Sequence, residues 1–170
     1  MKTIWTIGHS TRAIDEFIAI LQSFEIKVLA DIRSMPGSNK YPHFNQPALD
    51  AALHKSGIRY IHMPDLGGRR KPRPDSVNTA WQNKAFMGYA DYMETEPFKI
   101  AIAKLQQIAE KEHVAYMCAE AVWWRCHRSL VSDYLKVNGW TVMHIMDKGS
   151  AKEHPYTSPA KPVQGNLFYN

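Results

Sequence analysis

Val114-Ala-Tyr-Met-Cys118-Ala-Glu120-Ala-Val-Trp-Trp-Arg125-Cys126-His127-Arg128-Ser129 is the stretch on which this chain turns. The apolar run Val114 to Cys118 has the composition of a buried strand, and Ser129 to Val137 has that of a helix. Between them lie a carboxylate, two cysteines, a histidine and two arginines. In open α/β sheets, ligand sites form beyond the carboxyl ends of strands, beside the starts of the following helices. A turn that only joined two elements would not need such reactive and cationic side chains.

Outward from this junction, strands and helices alternate. Thr3 to Gly8, Val28 to Ile32, Ile58 to Met63 and Thr141 to Ile145 are the other strand-like runs. Phe17, Ile18, Ile20, Leu21 and Phe24 recur at helical spacing behind Asp15 and Glu16. Helices are also expected at Pro47 to His54, Ala80 to Met93 and Pro97 to Glu112, the last with proline at its first position. Ser34 to Pro42 is turn-rich, and Gly67 to Thr79 is a polar, basic loop. Strands separated by helices imply a three-layer α/β/α domain with a mainly parallel sheet of about five strands. One such domain is expected over residues 1–148. Residues 149–170, with Pro155, Pro159, Pro162 and Gly165, are expected to be a weakly structured tail.

Composition narrows the class. The 170 residues are 45% hydrophobic, enough for one core. No run approaches the ~20 apolar residues of a membrane helix. The apolar part of Met1 to Ile7 is too short for a signal peptide. With only two cysteines, no disulfide framework is expected, and a reducing, cytoplasmic setting is. A net charge of +5 permits an anionic small molecule or nucleic acid as partner without requiring either.

Strong motifs are absent. There is no GxGxxG, no Walker-type GKS or GKT, no HExxH and no paired CxxC. Arg125 follows Cys118 by seven positions, one more than a cysteine-phosphatase loop uses. No cofactor is therefore expected. Cys118, Cys126 and His127 match no common zinc spacing, and no metal site is expected either.

What remains is a constellation at strand ends. Parallel strands bring Gly8 to Arg12, Asp31 to Ser34, Pro64 to Arg70 and Cys118 to Arg128 to one edge of the sheet. Guanidinium groups beside helix starts suit a phosphate or other polyanion, so Ser10, Arg12, Arg33, Arg69, Arg70, Arg125 and Arg128 are candidate anion ligands. Glu120, with His9 or His127, is a candidate for proton transfer. Asp31 is a candidate for orienting a cation or water, and Cys126 for a thiolate stabilised by a helix start.

On Thr6 to Arg12, Asp31 to Pro36, His62 to Gly68, Cys118-Ala-Glu120 and Cys126-His-Arg-Ser129, most of the chain resembles the DUF488 proteins, a domain of unknown function. The resemblance implies an α/β domain with functional positions at its strand ends, and it supplies no reaction. Ala121 to Trp124 departs from the usually more polar loop of relatives, which bears on ligand choice or partner contact.

Structural alternatives stand beside each role. Cys126, Leu130 and Tyr134 share one helical face, as core residues do. Glu120 has Arg125 and Arg128 as possible ion-pair partners, and Arg12 and Arg33 have Asp15 and Asp31. The run Arg69 to Arg73 is either a solvated loop or a flap over an anion. Gln164-Gly-Asn-Leu167-Phe168 resembles the Gln-x-x-Leu-Phe peptides that dock on the bacterial sliding clamp, with Gln164, Leu167 and Phe168 as anchors; alternatively these residues pack back on the domain.

Two functions follow. One is an enzyme hydrolysing or cleaving a glycosidic bond in a phosphate-bearing or nucleotide-like substrate. The other is a non-catalytic nucleic-acid-binding or repair-associated module using the basic loop, the tryptophan pair and the tail.

Overall fold

The computed structural model describes residues 2–37 and 40–170. The chain runs β1 (Thr3–Gly8), α1 (Ile14–Ser23), β2 (Val28–Asp31), α2 (Gln46–Lys55) and β3 (Arg59–His62). It continues through α3 (Lys84–Tyr92), α4 (Glu96–Lys111), β4 (Val114–Cys118), α5 (Arg128–Val137) and β5 (Thr141–Asp147). Three short strands follow, β6 (Ser150–Glu153), β7 (Lys161–Val163) and β8 (Asn166–Phe168).

Six strands form the main sheet in the order β3-β2-β4-β1-β5-β6. The first five are parallel, and β6 pairs antiparallel with β5. The extra strand arises from a tight hairpin. Asp147 pairs with Ser150 across a two-residue connection, and Gly149 in it has φ 67°. A left-handed φ is what such a turn needs and glycine adopts it freely.

Side-chain alternation builds two apolar layers on this sheet. Ile4, Val28, Ala30, Val114, Tyr116 and Val142 face α3, α4 and α5. Ile7, Leu29, Ala115, Met117 and Ile145 face α1 and α2. The first two crossovers step one way along the sheet with their helices on one face. The next two step back with theirs on the other, as crossovers of a single hand require. The result is the expected α/β/α sandwich. The chain leaves β1 and β2 toward one layer and β4 toward the other, so a crevice opens beyond their carboxyl ends.

The segment from Gly149 onward differs from the expected loose tail. It contributes β6, and β7 and β8 pair as a separate hairpin around Gln164 and Gly165. His154 and Tyr169 are buried in it. Both bind Asp133 of α5, His154 through Nε2 at 2.8 Å and Tyr169 through its hydroxyl at 2.8 Å. A buried carboxylate needs such donors, and among the described residues this segment supplies all of them, Thr157 included. No helix among the described residues is long and apolar enough to cross a membrane.

Candidate functional site

A cleft of about 820 Å³ occupies the crevice at the ends of β1, β2 and β4. His9, Arg33, Arg69, Glu120, Arg125 and Cys126 are among its lining residues. Two of these segments hold strained backbone: Ser10 has φ 52° and Arg69 has φ 63°, a region non-glycine residues rarely adopt and one found disproportionately at functional sites. The β1 end and the loop after β4 press together. A Cβ on Gly8 would lie 1.8 Å from the Glu120 carbonyl oxygen, so only glycine lets the loop pass.

One wall is a buried polar cluster. Asp31, without exposed surface, accepts from Arg33 Nε at 2.9 Å, Arg33 Nη2 at 2.8 Å and the Tyr60 hydroxyl at 2.6 Å. Arg33 Nη2 also reaches the Phe44 carbonyl at 2.8 Å. Its Nη1 donates to His9 Nε2 at 3.3 Å, while His9 Nδ1 donates to the Ser10 carbonyl at 2.9 Å. A carbonyl only accepts, so the neutral His9 proton sits on Nδ1. His9 stacks on Phe44, and burial lowers its pKa to about 4, with Arg33's charge adding to the effect. These contacts involve four of the five side-chain N–H groups of Arg33, which lines the cleft, and leave one Nη1–H without a partner among the described residues.

The floor is the Cys126 segment. Cys118 and Cys126 are both buried, with Sγ atoms 2.7 Å apart. His127 Nε2 donates to the Ile32 carbonyl at 3.1 Å, which leaves Nδ1, 3.4 Å from Cys126 Sγ, as an acceptor. Burial pushes the Cys118 thiol up, and its hydrogen bond toward Cys126 pushes it further. Burial acts on Cys126 in the same sense, but the Cys118 hydrogen bond and the Arg128 charge outweigh it and hold this thiol below its ordinary value. Gly68 packs over His127; a Cβ there would lie 3.0 Å from Nδ1.

The arginines divide into two groups. Arg12 clamps the carbonyls of Gly8 and Met146 at 2.8 and 2.7 Å. Arg128, almost wholly buried, binds Thr6 Oγ1 at 3.1 Å and the Glu120 carbonyl at 2.9 Å. Arg70 lies over the Tyr92 ring at 3.6 Å and donates to Gly67. These three, expected as anion ligands, are instead fasteners of the backbone, and none lines the cleft. Arg69 and Arg125 are exposed on the cleft, and their guanidinium groups have no hydrogen bond or ion pair among the described residues. The same holds for the Glu120 side chain, so the ion pairs considered for it do not form. Asp31 accepts from the Arg33 side chain and backbone and from Tyr60, and so holds Arg33 in place. Nor does Arg12 pair with Asp15: its neighbour is Glu16, at 3.8 Å.

The basic loop is tied down, not a free flap. Arg73 N–H donates to Asp91 at 2.7 Å, and Ser76 and Asn78 also bind that carboxylate, at 2.6 and 2.7 Å. In the tail, Gln164 sits in the turn between β7 and β8 with φ 50°, and Leu167 packs on the core. Phe168 is 46% exposed. The three expected anchors thus belong to a folded hairpin rather than a free peptide.

Some contributors had no local signal. Tyr60 and Phe44 complete the His9 cluster from elements whose side chains look like ordinary core. Lys40 and Tyr41 reach the cleft from the turn-rich segment. Trp123 stacks on His144 at 4.6 Å, and His144 joins Thr6 to His154 through bonds of 2.6 and 2.8 Å. This buried relay runs from Asp133 to the Arg128 side chain and could not be inferred from spacing.

Residues 13–135 match the family model described as Domain of unknown function DUF488. No curated protein and no solved structure matches the chain.

Proposed function

This chain belongs to the DUF488 family, a domain of unknown function, and we propose that it is an enzyme acting on a phosphate-bearing or nucleotide-like substrate at the carboxyl edge of its sheet. The observation that carries this is the juxtaposition, on one cleft, of two guanidinium groups, Arg69 and Arg125, and one carboxylate, Glu120, none of which has a side-chain partner among the described residues. Unpaired forks bind phosphate bidentately, and the remaining Nη1–H of Arg33 adds a donor held rigidly by Asp31. A carboxylate beside a bound anion can transfer the proton that hydrolysis or glycosidic cleavage needs, with no cofactor. His9 is neutral and already bonded at both nitrogens, so its part is to align Arg33.

Thermal unfolding with inorganic phosphate, nucleoside phosphates and sugar phosphates tests the reading. A ligand at ~100 times its Kd should add roughly 2.7 kcal/mol of stability. Arg69→Ala and Arg125→Ala, both at exposed positions, should abolish that shift without lowering the unliganded Tm. Glu120→Gln should keep the shift and lose about 10²- to 10⁴-fold in turnover. The absence of any shift, or a shift that survives both arginine substitutions, would overturn the proposal.

Polymeric nucleic acid is the alternative ligand, favoured by Trp124, which is 52% exposed next to Arg125 and could stack on a base. In that case only single- or double-stranded polymers shift the Tm, Trp124→Ala weakens them, and Glu120→Gln has no effect.

A further inference from the structure

Cys118 ends β4 and Cys126 stands just before α5, with the loop that carries Glu120 and Arg125 between them. The fold brings their sulfurs to 2.7 Å, inside the ordinary contact distance of two unbonded sulfur atoms. Neither is in a disulfide, and both line the cleft. The two thiols have different surroundings. Cys126 has the His127 Nδ1 lone pair at 3.4 Å. The Arg128 backbone N–H and guanidinium also favour its charged form. Cys118 is buried at the end of β4 beside Gly8 of β1, and its thiol reaches the Glu120 carbonyl at 3.7 Å.

We propose that Cys126 and Cys118 are a redox-active dithiol in which Cys126 attacks a low-molecular-weight disulfide and Cys118 resolves the product. In the first step the Cys126 thiolate attacks one sulfur of the small disulfide. A mixed disulfide forms, the small S–S bond breaks, and the departing thiolate takes up the proton that Cys126 released. In the second step Cys118 releases its proton and attacks the Cys126 sulfur. The intramolecular disulfide forms, the mixed disulfide breaks, and the second small thiolate leaves with that proton. Two protein thiols are oxidised and one disulfide is reduced to two thiols, so no other reactant is needed. Arg69 and Arg125 on the same cleft favour an anionic disulfide. Closing the pair joins β4 to the start of α5 and brackets the Glu120 loop, so the oxidation state would set the loop's freedom.

The probe is oxidised glutathione, with the full-length reduced protein, intact mass and peptide mapping. Wild type should end with one Cys118–Cys126 disulfide and no bound glutathione. Cys118→Ser should trap glutathione on Cys126, and Cys126→Ser should leave Cys118 unmodified. In native wild type, limiting iodoacetamide should modify Cys126 about tenfold faster than Cys118, which needs no variant to fold. Equal labelling, a trapped adduct on Cys118, or thiols that react only after unfolding would overturn the proposal. These readouts follow sulfur alone, so their failure is distinct from failure of the phosphate-ligand proposal.

Discussion

Asp31 and Arg33 show how much one buried pair can organise. Asp31 is fully enclosed, and its charge is balanced only because Arg33 and Tyr60 donate to it. Removing one partner of a buried pair leaves the other uncompensated, typically at about 3–5 kcal/mol. Asp31→Asn should therefore cost that much in urea unfolding, whereas Tyr60→Phe, which deletes one hydrogen bond, should cost about 1–3 kcal/mol. His9 carries a second consequence. Its folded pKa of about 4 lies below the ordinary 6.5, with burial the main cause, Arg33 and His43 adding to it, and Asp31 and the Ser10 carbonyl opposing. Between those values the unfolded chain holds more protons, so stability is full above pH 6.5 and falls as the pH drops toward 4. His144, pushed down to about 2 by burial, acts in the same direction. The expected slope is about 1.4 kcal/mol per pH unit for each histidine. Urea midpoints measured from neutral pH to pH 4 should show it; a flat profile would contradict it. The Asp31–Arg33 pair was legible at two-residue spacing. Its capture of His9 was not, because Phe44 and Tyr60 arrive from other elements.

At the scale of elements, the cleft exists because backbones approach closely where a side chain is missing. Gly8 lets the Glu120 carbonyl cross the end of β1, and Gly88 of α3 lets the basic loop lie flat, since a Cβ there would meet the Arg70 carbonyl at 2.2 Å. Gly8→Ala should therefore cost about 1–3 kcal/mol, the usual penalty of overpacking. It should also abolish the ligand-induced thermal shift, because the Glu120 loop must move. Gly88→Ala should cost about as much, while its shift survives if Arg69 keeps its place. The start of α3 at Asn83 has a separate, local cause. The Asn83 side chain accepts from Ala85 N–H at 2.9 Å and Phe86 N–H at 3.2 Å, and Asn83→Ala should cost about 1 kcal/mol. That cap explains why the helix begins later than the apolar pattern from Ala80 suggests. Trp81 instead packs its ring against Phe86 and Tyr169.

At the scale of the molecule, the C-terminal segment completes the core. Asp133 on α5 is satisfied by His154, Thr157 and Tyr169, all beyond the hairpin at Gly149. Truncation before Ser150 should leave that carboxylate buried and unpaired and strip Tyr169 from Trp81, with loss of cooperative unfolding by calorimetry. Tyr169→Phe, which removes one donor, should cost about 1–3 kcal/mol. A truncated chain with an unchanged Tm would refute this account. The sequence by itself determined the alternation of strands and helices, the parallel sheet and the gathering of the strand-end residues on one edge. Periodicity and chain order are local properties, and right-handed crossovers leave few ways to arrange them. Only the tertiary structure decided which arginines are available. Arg12, Arg70 and Arg128 are drawn onto carbonyls and a ring, while the Arg69 and Arg125 side chains have no partner among the described residues. It also decided that Cys118 meets Cys126 and that the last residues fold back. Each outcome depends on which distant group comes within about 3 Å of a donor or acceptor, and chain spacing does not encode that distance.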